Sequence, residues 1–160
     1  MSLWLSGRAG SRCSAHYDNY QNLLVVLAGS KTVRLWPPAD TALLYPQQLG
    51  GESGNHSEVD IARPCAARHP LFQQALRRAT AVTLRRGDAL FIPEGFWHQV
   101  DSGDATIAVN YWRAAMPRRR GAARCRGAAP LTRRRAGQVA LGVQRATGRP
   151  HGRVLRAPGV

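Results

Sequence analysis

The sequence predicts a mainly all-β chain folded as a double-stranded β-helix, the jelly-roll barrel, with one short helix and a basic tail. Three observations carry this. Between Tyr20 and Trp112 the apolar residues fall in short runs rich in Val, Leu, Ile, Phe and Trp. Gly, Asp, Ser and Pro punctuate those runs, as in many-stranded antiparallel barrels. At Arg113 the composition changes abruptly, and no sustained apolar period follows.

Tyr20 to Ala28 reads as a buried strand and Gly29-Ser30 as a tight turn. Lys31 to Trp36 reads as the second strand of that hairpin, with Trp36 closing it against the core and Pro37-Pro38 ending it. A long polar loop is expected from Ala39 to His69, with His56 and His69 read as surface residues. Pro70 opens a short helix through Ala79, because proline suits the first turn. Ala81 to Leu84 and Ala89 to Ile92 read as strands around the turn Arg85-Arg86-Gly87-Asp88. Phe96 to Val100 and Thr106 to Trp112 are expected to pair across Asp101-Ser102-Gly103-Asp104.

The chemistry sits at strand ends. His16 and Asp18 lie two apart at the entrance to the first apolar run, and alternate strand residues project to the same face. His98 follows the aromatic pair Phe96-Trp97 in GDALFIPEGFWHQVD. Two imidazoles and one carboxylate on one face of an octahedron leave positions open, the arrangement non-haem Fe(II) needs for cosubstrate and oxygen. Lys31 is the only lysine among 23 basic residues, and its compact ammonium suits the carboxylate of a small cosubstrate. Each residue also has a plainer reading. Asp18 can cap a turn, His98 can be a core histidine bonded to backbone, and Lys31 can belong to the turn after Gly29-Ser30. Asn22 and Asn110, amides in apolar strands, can satisfy neighbouring backbone groups.

The run from Trp4 to Trp112, about two thirds of the chain, resembles the cupin-type JmjC domain of Fe(II)/2-oxoglutarate-dependent oxygenases. HYDNYQNLLVVLAGSKTV, LYP, GESGNHS, GDALFIPEGFWHQVDS and AVNYW are similar, in this order, to plant small-JmjC proteins. The branch includes the asparaginyl hydroxylase of hypoxia-inducible factor and the tRNA wybutosine hydroxylase. HxD alone is a weak signal; HxD, lysine at +15, GDxLFIPxxxxH and VNxW together are specific. The resemblance implies His16, Asp18 and His98 as iron ligands and Lys31 as the cation for 2-oxoglutarate. It also implies Asn22, Asn110 and Trp112 as residues lining the cosubstrate pocket. One departure stands at Cys13, where relatives carry a Thr or Ser hydroxyl; a thiol is a poorer donor, so Ser11 or Ser14 must substitute or binding is weaker. The implied reaction is hydroxylation of a protein or RNA substrate, with demethylation when the oxidised carbon is attached to nitrogen. Neither a chromatin-reader motif nor a zinc cluster accompanies the barrel, which disfavours a histone demethylase.

Residues 1–112 read as the JmjC/cupin-like domain, expected to be incomplete at its N-terminus, with an unpaired sheet edge and exposed apolar surface. Met1 to Trp112 carries 10 basic and 9 acidic residues, whereas Arg113 to Val160 carries 13 arginines and no acid. Residues 113–160 read as an Arg-rich low-complexity tail too poor in apolar residues to order itself. Sequence without selected function, from GC-rich DNA, explains the tail best; weak nucleic-acid contact through its arginines is the other reading. No apolar run is long enough to cross a membrane, and no signal peptide is recognisable. Three widely spaced cysteines, Cys13, Cys65 and Cys125, argue against a disulfide scaffold, so an intracellular, cytoplasmic or nuclear setting is expected. Three alternatives remain: an inactive truncated cupin serving as a binding module, a metal-cupin isomerase or dioxygenase needing no cosubstrate, and an RNA-binding protein acting through its tail. The substrate and oligomeric state are not legible.

Overall fold

A computed structural model describes residues 1–8, 10–47 and 53–114, together with the backbone of 143–145. Ten strands form two antiparallel sheets facing each other. The first sheet contains β1 (Ser2–Ser6), β4 (Gln21–Ala28), β7 (Asp88–Ile92), β9 (Thr106–Arg113) and β10 (Val143–Arg145), in the order β1-β9-β4-β7-β10. The second contains β2 (Ser11–Arg12), β5 (Ser30–Trp36), β6 (Thr80–Arg85) and β8 (Trp97–Ser102), in the order β2-β8-β5-β6, and β3 (His16–Tyr17) also pairs with β8. This is the expected all-β jelly roll.

The strands form where apolar residues alternate. In β4, Asn22, Leu24 and Val26 are buried while Leu23 and Leu27 are exposed, the two-residue period of a pleated strand. Leu24, Val26, Leu90, Ile92 and Ala108 of the first sheet meet Val33, Leu35 and Leu84 of the second in one core. A second cluster of Trp36, Leu44, Phe72, Ala75 and Trp97 closes one end of the barrel. There Trp36 is fully buried, as expected, and donates its indole N–H to the Ala75 carbonyl at 2.8 Å.

The expected hairpins are not hairpins. β4 and β5, like β8 and β9, are consecutive in sequence yet lie in opposite sheets. β6 and β7 also divide between the sheets. The turns are therefore corners, and each strand finds its partners far along the chain. Gly29 makes the first corner at φ +68°, and a Cβ there would lie 2.6 Å from Thr106 Oγ1 and 2.8 Å from its Cα. Only glycine fits so close a backbone approach at positive φ.

Other departures are local. A 3-10 helix spans Pro38–Leu43 inside the expected loop, with proline in its first turn. The helix α1 (Phe72–Arg78) begins after Pro70 and ends before Ala79, which is already extended into β6. Its Arg78 reaches the buried Asp40 carboxylate at 2.8 Å. His69, expected at the surface, is buried and packs edge-on to Tyr45. β1, β2 and β3 precede every strand expected from the pattern. β1 forms one edge of the first sheet, where Leu3, Trp4 and Leu5 are exposed.

The tail reading for 113–160 largely concerns 115–142 and 146–160, which lie outside the described residues. Within the tail, the backbone of β10 pairs with β7 in the register Val143↔Leu90 and Arg145↔Asp88. An unpaired strand edge accepts an extended backbone whatever its composition.

Candidate metal centre

His16 on β3 is the direct antiparallel partner of His98 on β8. The two imidazoles are thus neighbours within one sheet. Their ring centroids are 4.4 Å apart. Asp18, just beyond β3, completes the group: one ligand atom from each of His16, Asp18 and His98 lies within 4.8 Å of the others.

The surroundings orient these donors. His16 Nδ1 lies 2.9 Å from the Ser14 carbonyl, and His98 Nδ1 lies 3.0 Å from the Phe96 carbonyl. A carbonyl only accepts, so each Nδ1 carries the proton and each Nε2 keeps its lone pair. Asp18 Oδ2 accepts from Asn22 Nδ2 at 3.3 Å and from the Trp112 indole at 3.0 Å. Asn110 Nδ2 donates to Asn22 Oδ1 at 2.8 Å, extending the relay. Asn22 and Trp112 therefore converge on the carboxylate, with Asn110 bracing Asn22.

Electrostatics act on the two imidazoles with opposite signs. Burial, reinforced by repulsion from His16, pushes His98 down to about 4, so it is neutral at physiological pH. Burial is also the largest influence on His16 and opposes its charge. Hydrogen bonds to Cys13 and the Ser14 carbonyl, with attraction from Asp18, nevertheless hold its pKa above the ordinary value. Two imidazole lone pairs and an oriented carboxylate fit a divalent cation.

These residues line one cavity of about 600 Å³ between the sheets, together with Cys13, Lys31 and the tryptophans Trp4 and Trp112. Lys31 on β5 is 7 % exposed, and its ammonium donates to Ser102 Oγ at 2.7 Å. Burial lowers its pKa, because a hydroxyl cannot neutralise an ammonium. Lys31 is aligned with Ser102, four residues along β8 from His98, a separation of roughly 13 Å along the strand. Cys13 Sγ accepts from the Val100 amide at 3.1 Å.

The sequence reading missed His56. Segment 55–57 is stitched to 15–17 by Tyr17 N–H to the Asn55 carbonyl at 3.0 Å and Ser57 N–H to the Ala15 carbonyl at 2.8 Å. His56 thereby pairs with His16 and stacks on it, with centroids 5.0 Å apart and planes 15° from parallel. His56, His16 and His98 form a ladder across three adjacent extended segments.

Residues 1–117 match the family described as Cupin-like domain. The chain belongs to this cupin-like family. The domain is 45% identical over 112 residues to Lysine-specific demethylase JMJ31 of Arabidopsis thaliana, covering 70% of this chain and 20% of that protein. It is 39% identical over 114 residues to HSPB1-associated protein 1 of Homo sapiens, covering 69% and 23% respectively. To Lysine-specific demethylase 8 of Xenopus tropicalis it is 34% identical over 106 residues, covering 66% and 23%. The chain thus spans about a fifth to a quarter of the length of these relatives. Its kinship with JmjC proteins agrees with the motifs, and its jelly roll is the fold those motifs imply. No helix among the described residues is long and apolar enough to cross a membrane.

Proposed function

We propose that this cupin-like domain is the metal-binding core of an Fe(II)/2-oxoglutarate-dependent JmjC-type oxygenase, acting as a hydroxylase on a protein or RNA substrate. The observation that carries the reading is the convergence of His16, Asp18 and His98, with both imidazole Nδ1 atoms already engaged. A ferrous ion with 2-oxoglutarate supplies, when bound, the oxidising chemistry that converts a C–H bond to C–OH.

The chain's own residues do the rest. His16, Asp18 and His98 would hold the ion. Asn22 and Trp112 fix the Asp18 carboxylate, so only its orientation toward the cavity is retained. Lys31, buried beside a neutral hydroxyl, supplies the positive charge that an anionic carboxylate would neutralise. Asn110 braces Asn22 from β9. Leu24, Ile92 and Val100 give the same space apolar walls, which lower the local dielectric and strengthen charge–charge contacts there. The names of the relatives include lysine demethylases, and the same donor set serves hydroxylation and demethylation alike.

Anaerobic titration with Fe(II) and then 2-oxoglutarate tests the reading. The expected result is the weak visible charge-transfer band of the chelate, together with aerobic conversion of 2-oxoglutarate to succinate. His16→Ala or Asp18→Ala should abolish both. Succinate formation unaffected by either substitution would refute the proposal.

A further inference from the structure

Cys13 stands at a set height along the cavity wall. The residues of β8 that line the cavity are His98, Val100 and Ser102, spaced two apart and so on one face of the strand. His16 is paired with His98 at one end of this row, and Lys31 with Ser102 at the other. Cys13 is fixed at the middle position. Its amide donates to the Val100 carbonyl at 3.0 Å, and its Sγ accepts from the Val100 amide at 3.1 Å. The sulfur therefore lies between the metal donors and the ammonium, roughly 7 Å along the strand from the level of each. Its influence reaches both ends. It hydrogen-bonds with His16, and it opposes the lowering of the Lys31 pKa that burial causes.

Lys31 points to the ligand that would lie over this sulfur. Its ammonium is buried, its partner is the neutral Ser102 hydroxyl, and no acid pairs with it among the described residues. Asp18, the one acid among the described residues lining the cavity, is engaged by Asn22 and Trp112 at the metal end. A buried cation without a carboxylate costs free energy, and a small diacid supplies one. In a four-carbon unsaturated diacid each olefinic carbon is bonded directly to a carboxylate carbon. A molecule with one carboxylate on Lys31 and the other towards the metal donors thus carries its double bond past Val100, at the height of Cys13 Sγ. Thiols add to such double bonds.

We propose that Cys13 is a modification site for small α,β-unsaturated dicarboxylates, which Lys31 captures and delivers to its sulfur. The proposal rests on the reading of Lys31 as the cation for a cosubstrate carboxylate. In the addition an S–C bond forms, the C=C π bond breaks, and the thiol proton ends on the neighbouring carbon; no oxidant or reductant takes part. The product is a thioether that leaves two carboxylates in the space of the cosubstrate, so the modified chain no longer binds 2-oxoglutarate. Placement, not intrinsic reactivity, selects the site. Cys65, whose pKa is lowered by hydrogen bonds from the Arg68 backbone and side chain, is activated towards an untemplated reagent, yet it does not line the cavity.

The test incubates the full metal-free chain with millimolar fumarate and maps adducts on Cys13, Cys65 and Cys125 by peptide mass spectrometry. Dimethyl fumarate, which lacks the charges, is the untemplated control. Expected is one fumarate on Cys13, persisting after denaturation and dialysis, formed at least about tenfold faster than the adduct on Cys65. The ester should show no such preference. Lys31→Met should slow the fumarate reaction at Cys13 about tenfold or more, while the ester reaction there changes by no more than about twofold. Cobalt(II) binding by the variant shows that the His16–His98 pair is intact. Excess succinate, a saturated diacid, should protect Cys13 in the parent chain, a check that needs no substitution. Equal fumarate rates at Cys13 and Cys65, an unchanged Cys13 rate in Lys31→Met, or failure of succinate to protect would overturn the proposal. A Lys31-dependent adduct on a chain that never converts 2-oxoglutarate to succinate would sink only the oxygenase reading. Lys31-dependent turnover of 2-oxoglutarate with no adduct on Cys13 would sink only this proposal.

Discussion

The indole N–H of Trp112 donates to Oδ2 of Asp18 across 3.0 Å, joining residues 94 apart in sequence. Asp18 is only partly buried and lies beyond the end of β3, so its rotamer depends on this bond and on the longer one from Asn22. Trp112→Phe keeps an aromatic ring, though a smaller one, and removes the donor. It is expected to lower divalent-metal affinity about 10- to 100-fold, as loss of an outer-shell partner does, while leaving the thermal midpoint nearly unchanged. Isothermal titration with cobalt(II) checks it; unchanged affinity would show that Asp18 is positioned without Trp112.

Lys31 gives a prediction with two signs. Its pKa is lowered by burial, so the unfolded chain holds the proton more tightly than the folded one. The resulting destabilisation is present below the folded pKa and disappears as pH rises past the unfolded value. Lys31→Met fills similar volume without the charge. The ligand-free variant should therefore unfold at equal or higher urea concentration than the parent at neutral pH, while its affinity for 2-oxoglutarate falls at least about tenfold. A structural lysine would give the opposite stability change and no effect on the diacid.

Much of the site was legible because strand geometry converts spacing into direction. HxD places two donors on one side of a strand, and Lys31 stood out as a single lysine among arginines. Although β1, β2 and β3 were not legible, the six strands β4 to β9 were, nearly to their ends. Their partners were not, because Gly29-Ser30 and the Asp101–Asp104 turn look alike in sequence whether they close a hairpin or turn a corner between sheets. His56 was missed for a related reason. Its place beside His16 comes from a pairing 40 residues apart through a segment without alternating pattern. His69 likewise gave no periodic sign of burial, since a loop packed over Tyr45 buries it.

The imidazole pair makes stability pH-dependent. His98 is pushed down from 6.5 to about 4 by burial and by repulsion from His16. Between those values the unfolded chain binds the proton and the folded chain does not, so stability rises with pH across that window and is complete above it. His16, with its pKa raised, acts with the opposite sign, adding stability that is lost as pH rises past its folded value. Urea unfolding of the metal-free chain should show a loss of up to a few kcal/mol between pH 6.5 and 4. His98→Gln should flatten that slope; the same slope in this variant would assign the effect elsewhere.

Gly29 is where one substitution should cost the most for the fewest atoms. A methyl group there meets Thr106 at both Oγ1 and Cα, and φ is +68°. Thr106 Oγ1 cannot swing away freely, because it accepts from the Ser30 amide at 3.2 Å and donates toward the Ser30 and Gly103 carbonyls at 3.0 and 2.8 Å. Those bonds hold the β4–β5 corner against the start of β9, and through it the alignment of Lys31 with Ser102. Gly29→Ala should thus destabilise the chain by about 2 kcal/mol or more through backbone strain and the lost bonds. Thr106→Ser keeps the hydroxyl and should cost less than about 1 kcal/mol. The double variant Gly29→Ala/Thr106→Ser gains no relief at Thr106 Cα, 2.8 Å away, so its unfolding free energy should remain close to that of Gly29→Ala. Full rescue by the serine, which retains both clashing atoms, would contradict the steric argument.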